Sequence, residues 1–261
     1  LFTEEHAALT GSREVVIAEE LKPEQSFNLN LNYLKKIYSD NGIFASFDFS
    51  AFYTKFSNAI IPDYDTNQNQ IIYDNLNGKS VSKGFSGNLD LVIPNGLKAT
   101  LGATIQDVSS TENGITKKQI LTENFSGTWS ISYDIKLINF ILDYTGNLYG
   151  PMRLPLLSEN DPRSEFSPTW SIQNIQFTYD GFKNIELYGG VKNILNWTPN
   201  RGNPFIIARA NDPFDKNVSF DNSGNAQVTP DNPYGLTFDP TYVYAPNQGI
   251  RGFLGLRYRL N

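Results

Sequence analysis

Apolar and polar residues alternate with a period of two in nine segments of the sequence, and the longer period of an amphipathic helix is almost absent. Successive side chains of a β-strand point to opposite faces, so this pattern predicts strands with one apolar and one polar face. In the closing segment, one parity holds Ile250, Leu254, Leu256 and Leu260, and the other holds Arg251, Arg257 and Arg259. The predicted fold class is therefore all-β, built on an antiparallel sheet.

The connections between these segments alternate in length. Tight-turn sequences join four pairs of strands: SDNG at 39–42, PNG at 94–96, DIK at 134–136 and DGFKN at 180–184. Long outer loops are predicted at 57–69, 109–119, 150–168 and 195–248. Short turns at one end and long loops at the other are typical of bacterial outer-membrane barrels, which have an even strand number. The odd count of nine predicts that residues 1–261 form a partial barrel domain and that further strands precede Leu1.

Alternation alone also fits a soluble β-sandwich or barrel whose polar face meets water. The composition of the polar faces argues against a soluble sandwich or barrel. These faces consist mainly of Ser, Thr, Asn and Gln, with very little Lys. Strands that face water usually carry protective charges, whereas small polar groups suit a hydrated barrel interior. Trp129, Tyr144 and Tyr258 lie towards strand ends, as in the aromatic girdles of membrane barrels. We expect an antiparallel transmembrane β-barrel that crosses the bacterial outer membrane many times.

Composition excludes several other classes of protein. No run of about 18 apolar residues is present to form a transmembrane helix. The absence of Cys removes disulfides and thiolate metal sites, and the single histidine, His6, leaves no Ser, His and Asp triad to build. A net charge of −6 argues against a nucleic acid partner. We expect no enzyme activity.

Four stretches give the chain a family resemblance. LKPEQSFNLNLNY (21–33), GGVKNILNWTP (189–199), RANDPFDK (209–216) and YGLTFDPTYVYAPNQGIRGFLGLRYRL (234–260) resemble the C-terminal half of TonB-dependent receptors. The resemblance implies a barrel of about 22 strands, filled by an N-terminal plug that is absent from this chain. It also implies energised import through the TonB energy-coupling complex. One departure is the ending Leu260–Asn261, where such barrels commonly have an aromatic residue.

Candidate ligand contacts lie in two of the long loops. Loop 195–248 is too aromatic for a disordered segment, and its rings could stack on a ligand while its arginines pair with anions. The candidates in this loop are Trp197, Arg201, Arg209, Phe214, Tyr242 and Tyr244, and loop 150–168 adds Arg153 and Arg163. The alternative is that both loops only pack on their neighbours.

Two further sets of residues are candidates for other roles. Arg251, Arg257 and Arg259 are expected to face the barrel interior. There they would contact plug carboxylates or an anionic ligand, or else pair with Asp or Glu on adjacent strands. Asp212, Asp215 and Asp221 offer oxygen ligands for a structural Ca²⁺ ion, the only cofactor considered. Their spacing does not match an EF-hand, and plain solvation is the alternative.

The function expected from the resemblance is active transport across the outer membrane of a Gram-negative cell. The expected cargo is a scarce metal chelate, such as a siderophore complex, or a cobalamin-like molecule. Expected partners are the lipid bilayer and lipopolysaccharide, the protein's own plug and remaining strands, and the TonB complex. Three alternatives stay open: a glycan or peptide importer that works with a surface lipoprotein, a passive porin, and a soluble carbohydrate-binding β protein.

Overall fold

The computed structural model describes residues 14–17, 21–63, 66, 70–155, 164–199, 219–222, 227–230, 233 and 244–259. Within them lie thirteen strands and one short 3₁₀ turn at Lys136–Ile138. The strands are β1 (Glu14–Ile17), β2 (Gln25–Tyr38), β3 (Phe44–Asn58), β4 (Ile60–Asp63), β5 (Gln70–Asn75), β6 (Gly78–Val92), β7 (Leu97–Glu112), β8 (Ile115–Lys118), β9 (Phe125–Ile135), β10 (Phe140–Tyr149), β11 (Trp170–Phe182), β12 (Ile185–Lys192) and β13 (Arg251–Tyr258). No helix in these ranges has the length and apolarity needed to cross a membrane.

Nine strands form the main sheet in the order β2-β3-β6-β7-β9-β10-β11-β12-β13, and β8 pairs with the end of β7. Every neighbouring pair is antiparallel. These nine strands correspond to the nine alternating segments, so the prediction of an all-β antiparallel fold is confirmed. In the described part of the chain the sheet is open, with β2 at one edge and β13 at the other.

Short connections lie at one end of this sheet, called the short-turn end. They join β2 to β3, β6 to β7, β9 to β10 and β11 to β12. Each contains one residue with a left-handed backbone: Gly42, Gly96, Asn139 and Asn184. At Gly96 (φ +100°) a Cβ atom would lie 2.4 Å from the carbonyl oxygen of Asp134. Both the backbone angle and the available space therefore require glycine at this turn.

The opposite end, called the long-loop end, holds more strand than the sequence predicts. The segment 109–119, expected as a loop, is a hairpin in which β7 turns at Asn113 and Gly114 and returns as β8. Both turn residues have positive φ (50° and 79°), the geometry that an Asn-Gly pair favours. The expected loop 57–69 contains β4, which joins β5 and β1 in a separate three-stranded sheet around the buried Ile71 and Tyr73.

The register divides the main sheet into an inward face, which carries the polar residues, and an outward face, which carries the apolar ones. Polar side chains of the inward face bond to one another across strands. Ser50 Oγ donates to Asn32 Oδ1 at 2.7 Å, and Thr100 Oγ1 donates to Asp90 Oδ1 at 2.8 Å. The outward face exposes large apolar side chains, including Leu31 (72%), Phe85 (70%) and Ile105 (67%). A continuous apolar face of this size is typical of a surface covered by lipid or protein.

Candidate ligand site at the long-loop end

Strand β11 changes the face on which it carries apolar residues. From Ile175 onward they face outward, whereas Trp170 and Ile172 have the opposite parity. The register between β10 and β11 is continuous over ten residue pairs, so no bulge causes the change. Trp170 and Ile172 therefore lie on the inward face, at the long-loop end.

Four aromatic rings, called the aromatic column, are stacked on this part of the inward face. Tyr149 and Trp170 have ring centroids 4.4 Å apart, and Trp170 and Trp197 are 5.1 Å apart with planes only 15° from parallel. Tyr244 meets Trp197 edge-on at 6.3 Å, and burial raises the pKa of the Tyr244 phenol. Trp197 and Tyr244, both ligand candidates, thus lie against the sheet and fit the packing alternative. Direct ligand contact by either stays a prediction.

Asn193 ties together the two ends of the 195–248 loop. Its side-chain amide donates to the carbonyl oxygens of Trp197 (2.7 Å) and Gln248 (2.9 Å), and its Oδ1 accepts from the Trp197 N–H at 3.0 Å. The side-chain oxygen of Asn196, Oδ1, also accepts a hydrogen bond from the Ile250 N–H at 2.9 Å. Asn193 is 4% exposed and has a left-handed backbone (φ 51°), which asparagine adopts more readily than most residues. The loop base is therefore closed by hydrogen bonds as well as by the aromatic column.

A cavity of about 340 Å³, called the mouth pocket, opens at the long-loop end. Three separate parts of the chain enclose it: β4, the β7–β8 hairpin with the residues after it, and Arg153. Its charged lining residues are Asp63, Glu112, Lys117, Lys118 and Arg153. A pocket that combines cations, carboxylates and apolar groups such as Ile61 and Leu121 suits a polar ligand of moderate size.

Arg153 is held in the mouth pocket from both sides. The carbonyl oxygen of Arg153 accepts a hydrogen bond from the Leu121 N–H at 2.8 Å. The N–H of the following residue, Leu154, donates to the carbonyl oxygen of Glu165 at 2.8 Å. Its Nε lies 3.7 Å from Glu165 Oε1, and the side chain is 14% exposed. A guanidinium fixed in this way presents planar donors to an anion with little loss of side-chain entropy on binding.

Two of the three closing arginines pair with an acidic group on the neighbouring strand. Arg257 and Arg259 donate to the two oxygens of Glu186, at 2.5 and 2.9 Å, and the Glu186 side chain is only 12% exposed. The Arg257 guanidinium also lies 5.6 Å from the ring centre of Tyr188. This arrangement matches the ion-pairing alternative for both arginines.

Arg251, the third closing arginine, has a different environment. It lies opposite Lys192 in the register between β12 and β13. Lys192 places its Nζ 5.5 Å from the ring centre of Phe253, and both residues line a second cavity of about 330 Å³ with Asp143 and Asn174. The closing strand therefore carries cations at two levels of the inward face: Arg257 and Arg259 pair with Glu186, and Arg251 lies opposite Lys192.

Several sequence candidates lie outside the described residues: Arg163, Arg201, Arg209, Phe214, Tyr242, Asp212 and Asp215. Asp221 is described, and among the described residues no cluster of three His, Cys, Asp or Glu is placed to hold a metal ion. The Ca²⁺ site therefore stays a prediction. Sequence reasoning missed Lys117 and Asn193. The Asn-Gly pair before Lys117 was a signal for the hairpin, but nothing in the sequence marks Asn193 as a loop closure.

Residues 7–194 match the family model described as "TonB dependent receptor-like, beta-barrel". The chain belongs to this family. Among solved structures, the TonB-dependent receptor chain resembles the ferric-catecholate import receptor Fiu from E. coli K12 (TM-score 0.57, 10% identity), covering 92% of this chain and 28% of that one. It also resembles the pyoverdine-bound outer membrane receptor FpvA from Pseudomonas aeruginosa PAO1 (TM-score 0.57, 12% identity). The match covers 92% of this chain and 30% of FpvA.

A third structural relative is the FrpB iron transporter from Neisseria meningitidis (TM-score 0.52, 13% identity). The match covers 94% of this chain and 32% of FrpB. This TonB-dependent receptor chain thus spans about a third of the length of the solved receptors that it matches. No curated protein sequence matches it significantly. At these identities the structural likeness establishes the fold of the barrel wall.

Proposed function

We propose that the complete protein is an outer-membrane transporter energised through TonB, and that its cargo is an iron chelate. Family membership supports the transport class. The observation that carries the proposal is the mouth pocket, in which Arg153 and Lys117 come from separate segments at one end of a barrel wall with an apolar outward face. Outward apolar residues would lie in the bilayer, and the long-loop end would face the exterior.

The proposed cargo is an anionic ferric chelate. The structural relatives are described as a ferric-catecholate import receptor, a pyoverdine receptor and an iron transporter. Arg153 and Lys117 would bind the negatively charged oxygens of such a chelate, and the apolar lining would cover its organic part. The plug would complete the site from the barrel interior. No bond is made or broken in the cargo, so the chain's own contribution is binding and orientation.

Uptake measurements in a strain that lacks the chromosomal gene test this proposal. Cells that express the complete protein should accumulate radioactive iron from at least one chelate in a panel of catecholate, hydroxamate and citrate complexes. Deleting TonB, or collapsing the proton gradient, should abolish the uptake. Uptake that persists without energy would instead indicate a passive porin. Growth on a glycan or peptide that requires a surface lipoprotein, with no iron uptake, would replace the iron chelate as cargo.

The residue-level test is Arg153→Gln. Removing one charge-assisted contact, which contributes about 1.5–3 kcal/mol, should raise the half-saturating chelate concentration at least about tenfold. Arg153→Lys keeps the charge and should retain part of the affinity. Lys98→Gln is the matched control, because Lys98 is exposed on the inward face near the short-turn end. Equal effects of Arg153→Gln and Lys98→Gln would remove Arg153 from the proposed site.

A further inference from the structure

One residue that lines the mouth pocket has an unfavourable backbone conformation. Among the residues that the structure describes, six other than glycine have a positive φ, and five of these are asparagines: Asn113, Asn139, Asn184, Asn193 and Asn196. The sixth is Leu121, with φ 55°. Asparagine tolerates this left-handed conformation, whereas a bulky apolar residue adopts it only at a cost in free energy. The choice of leucine at this position therefore needs a physical reason.

Hydrogen bonds from the surrounding chain hold Leu121 in this conformation. Its N–H donates to the carbonyl oxygen of Arg153 at 2.8 Å. Before it in sequence, the Gln119 N–H donates to the backbone of β7 at 3.0 Å. After it, the carbonyl oxygen of Glu123 accepts a bond from the side-chain amide of Gln106 at 3.1 Å. A strained residue persists only where neighbouring contacts over-determine its conformation, and these three bonds do so.

Packing within the chain does not account for the leucine. A glycine or an asparagine would make the same turn with less strain. Full burial of the leucine side chain in a core would offset the strain, but Leu121 is 36% exposed and lines the mouth pocket. The apolar group, rather than the turn itself, is therefore the feature that this position supplies to the pocket.

The mouth pocket brings this apolar group beside a cation. Three further apolar residues share the lining: Ile61, Ile115 and Ile120. Ile120 forms a β-bridge with Arg153, and the Leu121 N–H bonds to the same residue. The isobutyl group of Leu121 and the guanidinium of Arg153 are thus carried by adjacent, hydrogen-bonded backbones and line one cavity. A ligand that contacts both must combine a negative charge with an apolar surface.

We propose that Leu121 is a specificity-determining residue of the mouth pocket, and that it selects ferric chelates whose anionic oxygens are carried on an apolar ring. Arg153 would bind the oxygens, and Leu121 would cover the face of the ring beside them. A chelate such as ferric citrate is negatively charged but has no ring, so it would gain nothing from Leu121. This inference rests on the proposed function, because it assigns a class of chelate to the same pocket.

Chelate binding to the complete receptor, purified in detergent, tests the inference. Two probes are titrated by quenching of tryptophan fluorescence: a tris-catecholate complex of Fe³⁺, whose oxygens are carried on aromatic rings, and ferric citrate. Leu121→Asn keeps the left-handed turn and removes the apolar group. It should bind the tris-catecholate complex about fivefold more weakly, because the exposed third of a leucine is no longer covered by the ligand. Its affinity for ferric citrate should not change.

Leu121→Met is the matched conservative variant, because methionine keeps an apolar side chain of similar volume. It should bind the tris-catecholate complex within about twofold of the unmodified receptor. Hydrogen exchange in peptides that span residues 119–124 should be no faster in Leu121→Asn than in the unmodified receptor, since asparagine relieves the strain. If exchange is faster, the turn has been damaged, and Leu121→Gly takes the place of Leu121→Asn in the titrations.

Three outcomes would overturn the inference and leave the transport proposal intact. The first is equal affinity of Leu121→Asn and the unmodified receptor for the tris-catecholate complex. The second is an equal loss of affinity for both chelates, which would make Leu121 a structural residue. The third is binding of ferric citrate alone. A receptor that binds neither probe, in cells that take up no iron from any complex of the panel, would instead remove the proposed function, and this inference with it.

Discussion

Replacing Trp170 with alanine tests the packing at the loop base. Trp170 is 6% exposed and stacks on Trp197, the first aromatic residue of the 195–248 loop. The stack contributes about 1 kcal/mol beyond area burial. A stacked contact that covers roughly a third of the area that a buried indole removes from water, about 60 Å², adds about 1.5 kcal/mol at 25 cal/mol per Å². We therefore expect Trp170→Ala to reduce the free energy of local opening at the loop base by about 2.5 kcal/mol.

Hydrogen exchange followed by mass spectrometry measures this opening directly. A loss of about 2.5 kcal/mol corresponds to an increase of about seventyfold in the exchange rate of peptides that cover residues 193–199 and 244–250. Peptides from β3 and β6 should be unchanged. Trp129→Ala is the matched control, because Trp129 lies on the outward face within β9, opposite Leu101 and Gly146, with its ring 6.0 Å from that of Tyr144. An increase below threefold in Trp170→Ala, or an equal increase in the control, would refute the packing argument.

Three smaller predictions follow from the turns, the ion pair and the buried phenol. Gly96→Ala should lower the thermal midpoint more than Gly114→Ala, because both have positive φ but only Gly96 lacks space for a Cβ atom; equal losses would contradict the clash. A double-mutant cycle of Glu186→Gln with Arg257→Gln should give a coupling of about 1 kcal/mol or less, since Arg257 is largely exposed. Burial raises the folded-state pKa of Tyr244, so the unfolded state ionises first and stability falls as pH rises above about 10. Tyr244→Phe should lose less stability in that range, as followed by thermal unfolding.

Most of the main sheet can be predicted from the local sequence. Period-two alternation depends only on which face of a strand is apolar, so it identified all nine strands and the two kinds of connection. The small sheet was missed because β4 and β5 are too short to show an alternation. The β7–β8 hairpin lies in a segment predicted as a loop, although its Asn113-Gly114 pair is a strong hairpin signal.

The site was less accessible to sequence reasoning, because its residues come together only through long-range contacts. Trp170 and Ile172 interrupt the alternation of β11, and nothing local says which parts of the chain cover the inward face there. Arg153 was a candidate from its position in a loop, but its neighbours in the mouth pocket come from segments about 35 and 90 residues earlier. Glu186 could be anticipated as a partner of Arg257 only in general terms, as an acidic residue on the adjacent strand.

The closure made by Asn193 has a consequence for variation in the 195–248 loop. Its amide joins carbonyl groups that are 51 residues apart in sequence, so the barrel wall meets the loop through one fixed pair of ends. The entropy of closing a loop grows only slowly with length, by about 0.6 kcal/mol for each doubling. Insertions and deletions beyond the base would therefore leave the wall nearly unaffected. The same barrel wall can therefore carry loops of different length and sequence between Trp197 and Gln248.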